Sequence, residues 1–132
     1  MNLGTVTVNP SPTPVPAANF VITLVTFNGL NGTISSDGKS ATFANSGITV
    51  GDHTNLTIKV TNIGNAASMI GYPAVVSGTE DSGVTVLNFH TGYTTKPPNM
   101  MIAPGQSYWF EWLDIEAVNA GTVSPTITIT PP

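Results

Sequence analysis

Two histidines, His53 and His90, and seven acidic residues are the groups with which this chain could do chemistry. A zinc site at His53 would draw on neighbours such as Asp52, Glu80 or Asp81, each about 2 Å from the metal. No HxH or HxxxH spacing puts two imidazoles on one element, and His53 stands at a turn, so it reads as an exposed loop histidine. No G-x-S-x-G elbow supports a Ser-His-Asp arrangement. Asp114 and Glu116 are two positions apart, which on a strand places both on one face, roughly 7 Å apart. A glycosidase pair has a similar separation, but its carboxylates face each other across a cleft. Glu80-Asp81-Ser82-Gly83 lacks the alternating acidic ligands of a calcium loop and reads as a solvated loop. Asn31-Gly32-Thr33 and Asn55-Leu56-Thr57 match the glycosylation sequon, matches that chance supplies in a chain rich in Asn and Thr. These residues predict no catalytic site, no metal and no cofactor.

A denser signal is Tyr108-Trp109-Phe110-Glu111-Trp112-Leu113. As a strand it sends Tyr108, Phe110 and Trp112 to one face, and Trp109, Leu113 and Ile115 to the other, with Glu111 among them. One face can enter a core, and the second needs cover as well. The cover comes from the chain's own loop, Pro97 to Met101, or from another subunit, since Trp, Tyr, Phe and Met are enriched in interface cores. A sugar-binding platform is a third reading, favoured if the rings are coplanar and exposed.

The element that must position these residues is the stretch Gly51 to Ser68. Leu56, Ile58 and Val60 alternate with Thr57, Lys59 and Thr61, the period of a strand with one buried and one wet face. Asn62-Ile63-Gly64-Asn65 reads as the turn that closes it. Phe20 to Phe27 is a second strand, apolar on both faces and therefore expected to be central or covered. Asn28 to Gly32 is a loop with two Asn-Gly pairs, and Ser36-Asp37-Gly38-Lys39 between β-prone runs signals a hairpin. Ser68 to Ser77, broken by Gly71 and Pro73, suits a bulge or an edge; Val84 to Phe89, Ser107 to Ile115 and Thr122 to Thr130 complete the strands, and Pro125 argues for an edge in the last. About eight short strands spaced by turns predict an all-β sandwich or barrel.

Composition agrees. The chain has 132 residues, enough for one domain with a respectable core, and only 8% are charged, against roughly 25% in ordinary soluble domains. Three lysines and no arginine exclude clustered phosphate contacts, so no nucleic-acid partner is expected. There is no cysteine, and no apolar run of membrane-spanning length, so no membrane insertion is expected. Residues 1 to 19 form a Pro-rich N-terminal arm before a domain at 20 to 132. Leu3, Val6 and Val8 lie on a short strand-like run, and the alternating prolines of Asn9 to Pro16 favour a stiff polyproline spacer.

Gly51-Asp52, the run Leu56 to Asn65, Ala103-Pro104-Gly105-Gln106-Ser107 and Ala120-Gly121-Thr122 resemble, in that order, the strand and turn signatures of immunoglobulin-like surface modules. These include the cell-adhesion-related and DUF11-type repeats of prokaryotic surface proteins. The resemblance covers roughly Gly51 to Thr130 and implies an immunoglobulin-like β-sandwich without a catalytic residue. Two departures stand out, a single module instead of a tandem array and a Pro-rich arm before it. Standalone modules of this size are also similar in architecture to phage head-decoration and cement proteins. The expectation is a non-enzymatic structural subunit of the virion surface or the extracellular space: a capsid decoration protein, or a filament subunit joined by its arm. Its partners would be copies of itself and a capsid or filament protein, through Leu3, Val6, Val8, Tyr108, Phe110 and Trp112. The alternative is a carbohydrate-binding or adhesion module of a larger surface protein.

Overall fold

A computed structural model describes residues 4–10, 15–43, 48–90 and 101–129. The described residues form strands and turns with no helix. In chain order the strands are β1 (Phe20–Phe27), β2 (Leu30–Asn31), β3 (Thr33–Ile34), β4 (Ser40–Thr42), β5 (His53–Asn62), β6 (Ala74–Ser77), β7 (Glu80–Asp81), β8 (Val84–Thr85), β9 (Leu87–Phe89), β10 (Ser107–Ala117) and β11 (Thr126–Thr128). They pair antiparallel in a five-stranded sheet ordered β2-β1-β5-β10-β9, a four-stranded sheet ordered β3-β4-β11-β6, and a β7-β8 pair. The two larger sheets share one buried cluster, an arrangement consistent with a β-sandwich.

β5 is the centre of the larger sheet, between the two longest neighbours. Leu56, Ile58 and Val60 have no exposed surface, as their alternation predicts, and Thr54 and Asn62 extend the same buried row. Both neighbours carry a register shift against it. In β1 the shift lies between Ile22 and Leu24, so Phe20 and Ile22 on one parity and Val25 and Phe27 on the other all reach the core. The apolar character of both apparent faces of this strand therefore reflects a bulge, with β1 second from the sheet edge. In β10 the shift lies between Trp112 and Ile115. It returns Ile115 and Ala117 to the buried side, whereas strict alternation would put Ile115 with Trp109 and Leu113.

Turn chemistry is local. Asn28 and Gly29 link Phe27 to Leu30 with φ of 51° and 75°, the left-handed pair of a two-residue hairpin turn that Asn-Gly favours. The Ser36–Lys39 hairpin forms, joining β3 to β4. Gly38 has φ of 72°, and a Cβ there would lie 2.6 Å from Val21 Cβ, so the turn packs against β1 only with glycine.

The last strand differs from expectation. β11 is flanked by β4 and β6 and is no edge; Pro125 lies buried just before it, where Phe43 N–H donates to the Pro125 carbonyl. The edges of that sheet are β3 and β6, and β6 is also irregular in register against β11. The run from Val84 to Phe89 breaks at Val86, where the Val86 and Leu87 N–H groups both point to the Thr79 carbonyl.

Candidate functional site

Each end of β5 carries a polar cluster. At its last residue, Asn62, the side chain is fully buried and all four hydrogen-bonding positions are used. Its Oδ1 accepts from Asn19 N–H (3.1 Å) and Gly64 N–H (3.0 Å). Its Nδ2 donates to the Ala66 carbonyl (2.8 Å) and the Ile102 carbonyl (2.9 Å). A buried amide without these partners would cost its full desolvation, so the site holds three separate chain segments in one geometry. The expectation that Asn62 merely opens a turn misses this, because burial of a lone Asn has no periodic signature.

The root of the N-terminal segment is fixed there. Ala17 N–H donates to Asn65 Oδ1 (2.8 Å), Asn65 N–H to the Ala17 carbonyl (3.0 Å) and Ile63 N–H to the Asn19 carbonyl (2.8 Å). Lys39 Nζ donates to Asn19 Oδ1 and to the Phe20 carbonyl. Further out, residues 4–10 form no strand, and Val6 and Val8 are 84% and 86% exposed. Leu3 lies outside the described residues, as does most of the loop expected to cover the aromatic strand, Pro97 to Met101, and half of the Pro-rich run.

β10 sorts its aromatics clearly. Phe110 is fully buried opposite Ile58, and Tyr108 and Trp112 pack on the core beside it. Phe110 meets Tyr108 edge-on at 5.1 Å, and Trp112 meets Phe89 edge-on at 4.9 Å. Phe110, expected at an interface, therefore has no surface to offer a partner, while Tyr108 and Trp112 share its face and are partly buried against the core. Nor are Tyr108 and Phe110 coplanar, as a sugar platform requires. The exposed residues of this strand are Trp109, Glu111 and Leu113 on the opposite face, with Lys59 Nζ 5.3 Å from the Trp109 ring centre. A hydroxyl row crosses the same face: Thr23 Oγ1 lies 2.9 Å from Thr61 Oγ1, which lies 2.7 Å from Ser107 Oγ.

At the first residue of β5, His53 is exposed and meets both carboxylates of β10. Its Nδ1 is 2.5 Å from Asp114 Oδ1 and its Nε2 is 3.6 Å from Glu116 Oε1. The other Glu116 oxygen is 2.9 Å from His90 Nε2, and the two imidazoles stack 6.1 Å apart. The hydrogen bond to Asp114, then the negative charges of Asp114, Glu116 and Asp52, hold the His53 pKa above its ordinary 6.5. His53 thus sits with Asp114 and Glu116, not with Glu80 or Asp81 as a zinc reading would have it. Asp114 and Glu116 do share a face, but they pair with imidazoles on an open surface and do not oppose each other across a cleft. Among the described residues no three His, Cys, Asp or Glu side chains are placed to hold a metal ion.

A cleft of about 350 Å³ opens at one end of the core, between Phe27, Val86, Leu87, Ala117 and Val123. Its described lining includes Thr49 and Asn119 but no titratable side chain. Among the described residues no helix is long and apolar enough to cross a membrane. Comparison of the chain with models of protein families, with curated proteins and with solved structures finds no match.

Proposed function

We propose that this protein is a non-enzymatic structural subunit of a surface assembly, an immunoglobulin-like sandwich that joins neighbouring copies through its N-terminal arm. A virion decoration protein and a filament subunit are its two forms. One observation carries the reading: a segment pinned at its root by Asn62 and Asn65 leads to Val6 and Val8, which the chain itself leaves exposed. Exposed valines in a segment that belongs to neither sheet suit addition to the edge of a neighbour's sheet. Fixing the root lowers the ordering cost of that contact, and the prolines between the root and the valines stiffen the span. With β11 enclosed, the receiving edge on the smaller sheet is β6 or β3.

Sedimentation of the full chain beside a chain lacking residues 1–16 tests this. The full chain should form oligomers or fibres, and the shortened chain should stay folded and monomeric. A second reading, a carbohydrate-binding or adhesion module, is favoured by Trp109, an exposed indole on a face crossed by the Thr23–Thr61–Ser107 hydroxyl row. A full-length monomer that binds polysaccharide and loses that binding on Trp109→Ala would replace the first reading with the second.

A further inference from the structure

We propose that His53, His90, Asp114 and Glu116 form a proton-operated clasp that fastens the edge strand β9 to β10 and β5. β9 needs a fastener: its ladder to β10 has three residue pairs, Leu87, Asn88 and Phe89 against Ala117, Glu116 and Ile115. Glu116 is paired across the sheet with His53 on one side and Asn88 on the other, so one row of the sheet carries the contact across three strands. His90 comes directly after β9, and its backbone N–H donates to the Asp114 carbonyl at 3.1 Å. Glu116 then spans the gap, one oxygen toward His53 and the other toward His90.

The geometry makes the clasp conditional on protons. His53 has a carboxylate at each ring nitrogen. A neutral imidazole carries one N–H, so donation to Asp114 leaves a bare Nε2 lone pair facing Glu116. Only the imidazolium combines the hydrogen bond to Asp114 with an ion pair to Glu116. The groups facing His53 are Asp114 and Glu116 from β10, His90 from the end of β9 and Asp52 beside it in the chain. On its remaining side the described neighbours Asn28, Asn55 and Leu113 are uncharged. With His53 protonated, one cation stands between the two carboxylates of β10. With His53 neutral, Asp114 keeps its one N–H donor, but the ion pair from Glu116 to His53 is lost, and the carboxylate that reaches His90 is no longer held from the β5 side. The raised pKa of His53 agrees with a folded state that favours the charged ring.

The test uses the full chain, with imidazole resonances and amide exchange of residues 87–90 followed from about pH 5 to about pH 9. His53 should titrate above the value it has in an unstructured peptide. Protection of residues 87–90, corrected for intrinsic exchange, should fall severalfold as pH rises through that titration, while protection of Leu56 to Val60 stays constant. Asp114→Asn should lower the His53 titration, and His53→Gln should leave β9 protection low and independent of pH. Wild-type β9 protection that ignores pH, or a His53 that titrates as in the peptide, would overturn the clasp. So would a pH dependence that vanishes on adding a chelator, which would make the cluster a cation site instead.

Discussion

β5 begins at His53 and ends at Asn62, and the two ends solve the same problem in opposite ways. Each must hold the central strand to segments distant in sequence. At Asn62 the contacts are neutral, buried and complete, so their loss leaves polar groups stranded away from water. At His53 the contacts are ionic and exposed, so water and salt replace them cheaply and pH sets their strength. Burial makes a polar contact obligatory; exposure makes it adjustable. The root of the arm is tied to the obligatory end, and the short edge strand β9 to the adjustable one.

The sharpest way to break that contrast is at Asn62. Asn62→Asp places a carboxylate against the Ala66 and Ile102 carbonyls and should cost about 4 kcal/mol or more at neutral pH. Asn62→Ala, which strands the same groups without adding charge, should cost about 3 kcal/mol. Denaturant unfolding measures both. Ile58→Ala, a cavity in the middle of the same strand, should fall in the range of about 2–5 kcal/mol. An Asn62→Ala cost within about half a kcal/mol of zero, the usual range for surface sites, would mean that the hub is replaceable and the two ends are alike.

The apolar row of β5 was legible in the sequence because Leu56, Ile58 and Val60 repeat every second residue, and so was the Asn28-Gly29 turn as a turn, because its backbone demands those types. The bulges in β1 and β10 were not, because each inserts one residue and resets parity without any residue type that marks it. Ile115 and the inward set of β1 are read wrongly by strict alternation for that reason. The edge assignment of the last strand failed on Pro125, which precedes the ladder and so removes no donor from it. Neither polar site was visible. His53 and Asp114 are 61 residues apart, and only the register of β5 against β10 brings them together. Asn62 looked like turn chemistry because a buried Asn and a turn Asn are the same letter.

β10 offers a milder contrast, between its two tryptophans. Trp112→Ala removes a ring packed on the core and on Phe89, and should destabilise the fold by about 2–4 kcal/mol. Trp109→Ala removes a ring exposed over 44% of its surface and should cost less than about 1 kcal/mol of folding stability. If the outer face of the sheet serves the assembly, Trp109→Ala should weaken association in sedimentation while the unfolding midpoint barely moves. A Trp109→Ala chain that assembles normally would confine the assembly contact to the arm.

The smallest effects are the pH-dependent ones, and their signs distinguish two exposed sites. The folded pKa of His53 is raised, so its contribution is full below the unfolded value near 6.5 and is lost as pH rises through the folded value. The carboxyl of Asp37 is held below its ordinary 3.8, first by the Ser35 hydroxyl at 2.6 Å and then by the Lys39 N–H at 3.0 Å. Its contribution is therefore present above the unfolded value and lost as pH falls through the folded one. Stability measured against pH should decline as pH rises above about 6.5 through His53 and as pH falls below about 3.8 through Asp37. His53→Gln should flatten only the first decline, and added salt should weaken it in the wild-type chain, because ion pairs supply it. Asp37→Asn should flatten only the second. An asparagine oxygen still accepts from Ser35 and Lys39, so the hairpin between β3 and β4 should persist with its midpoint at neutral pH almost unmoved. A large loss at neutral pH from Asp37→Asn would show that the charge itself, beyond its hydrogen bonds, holds that turn, and would place the Asp37 site beside Asn62 as obligatory instead of beside His53.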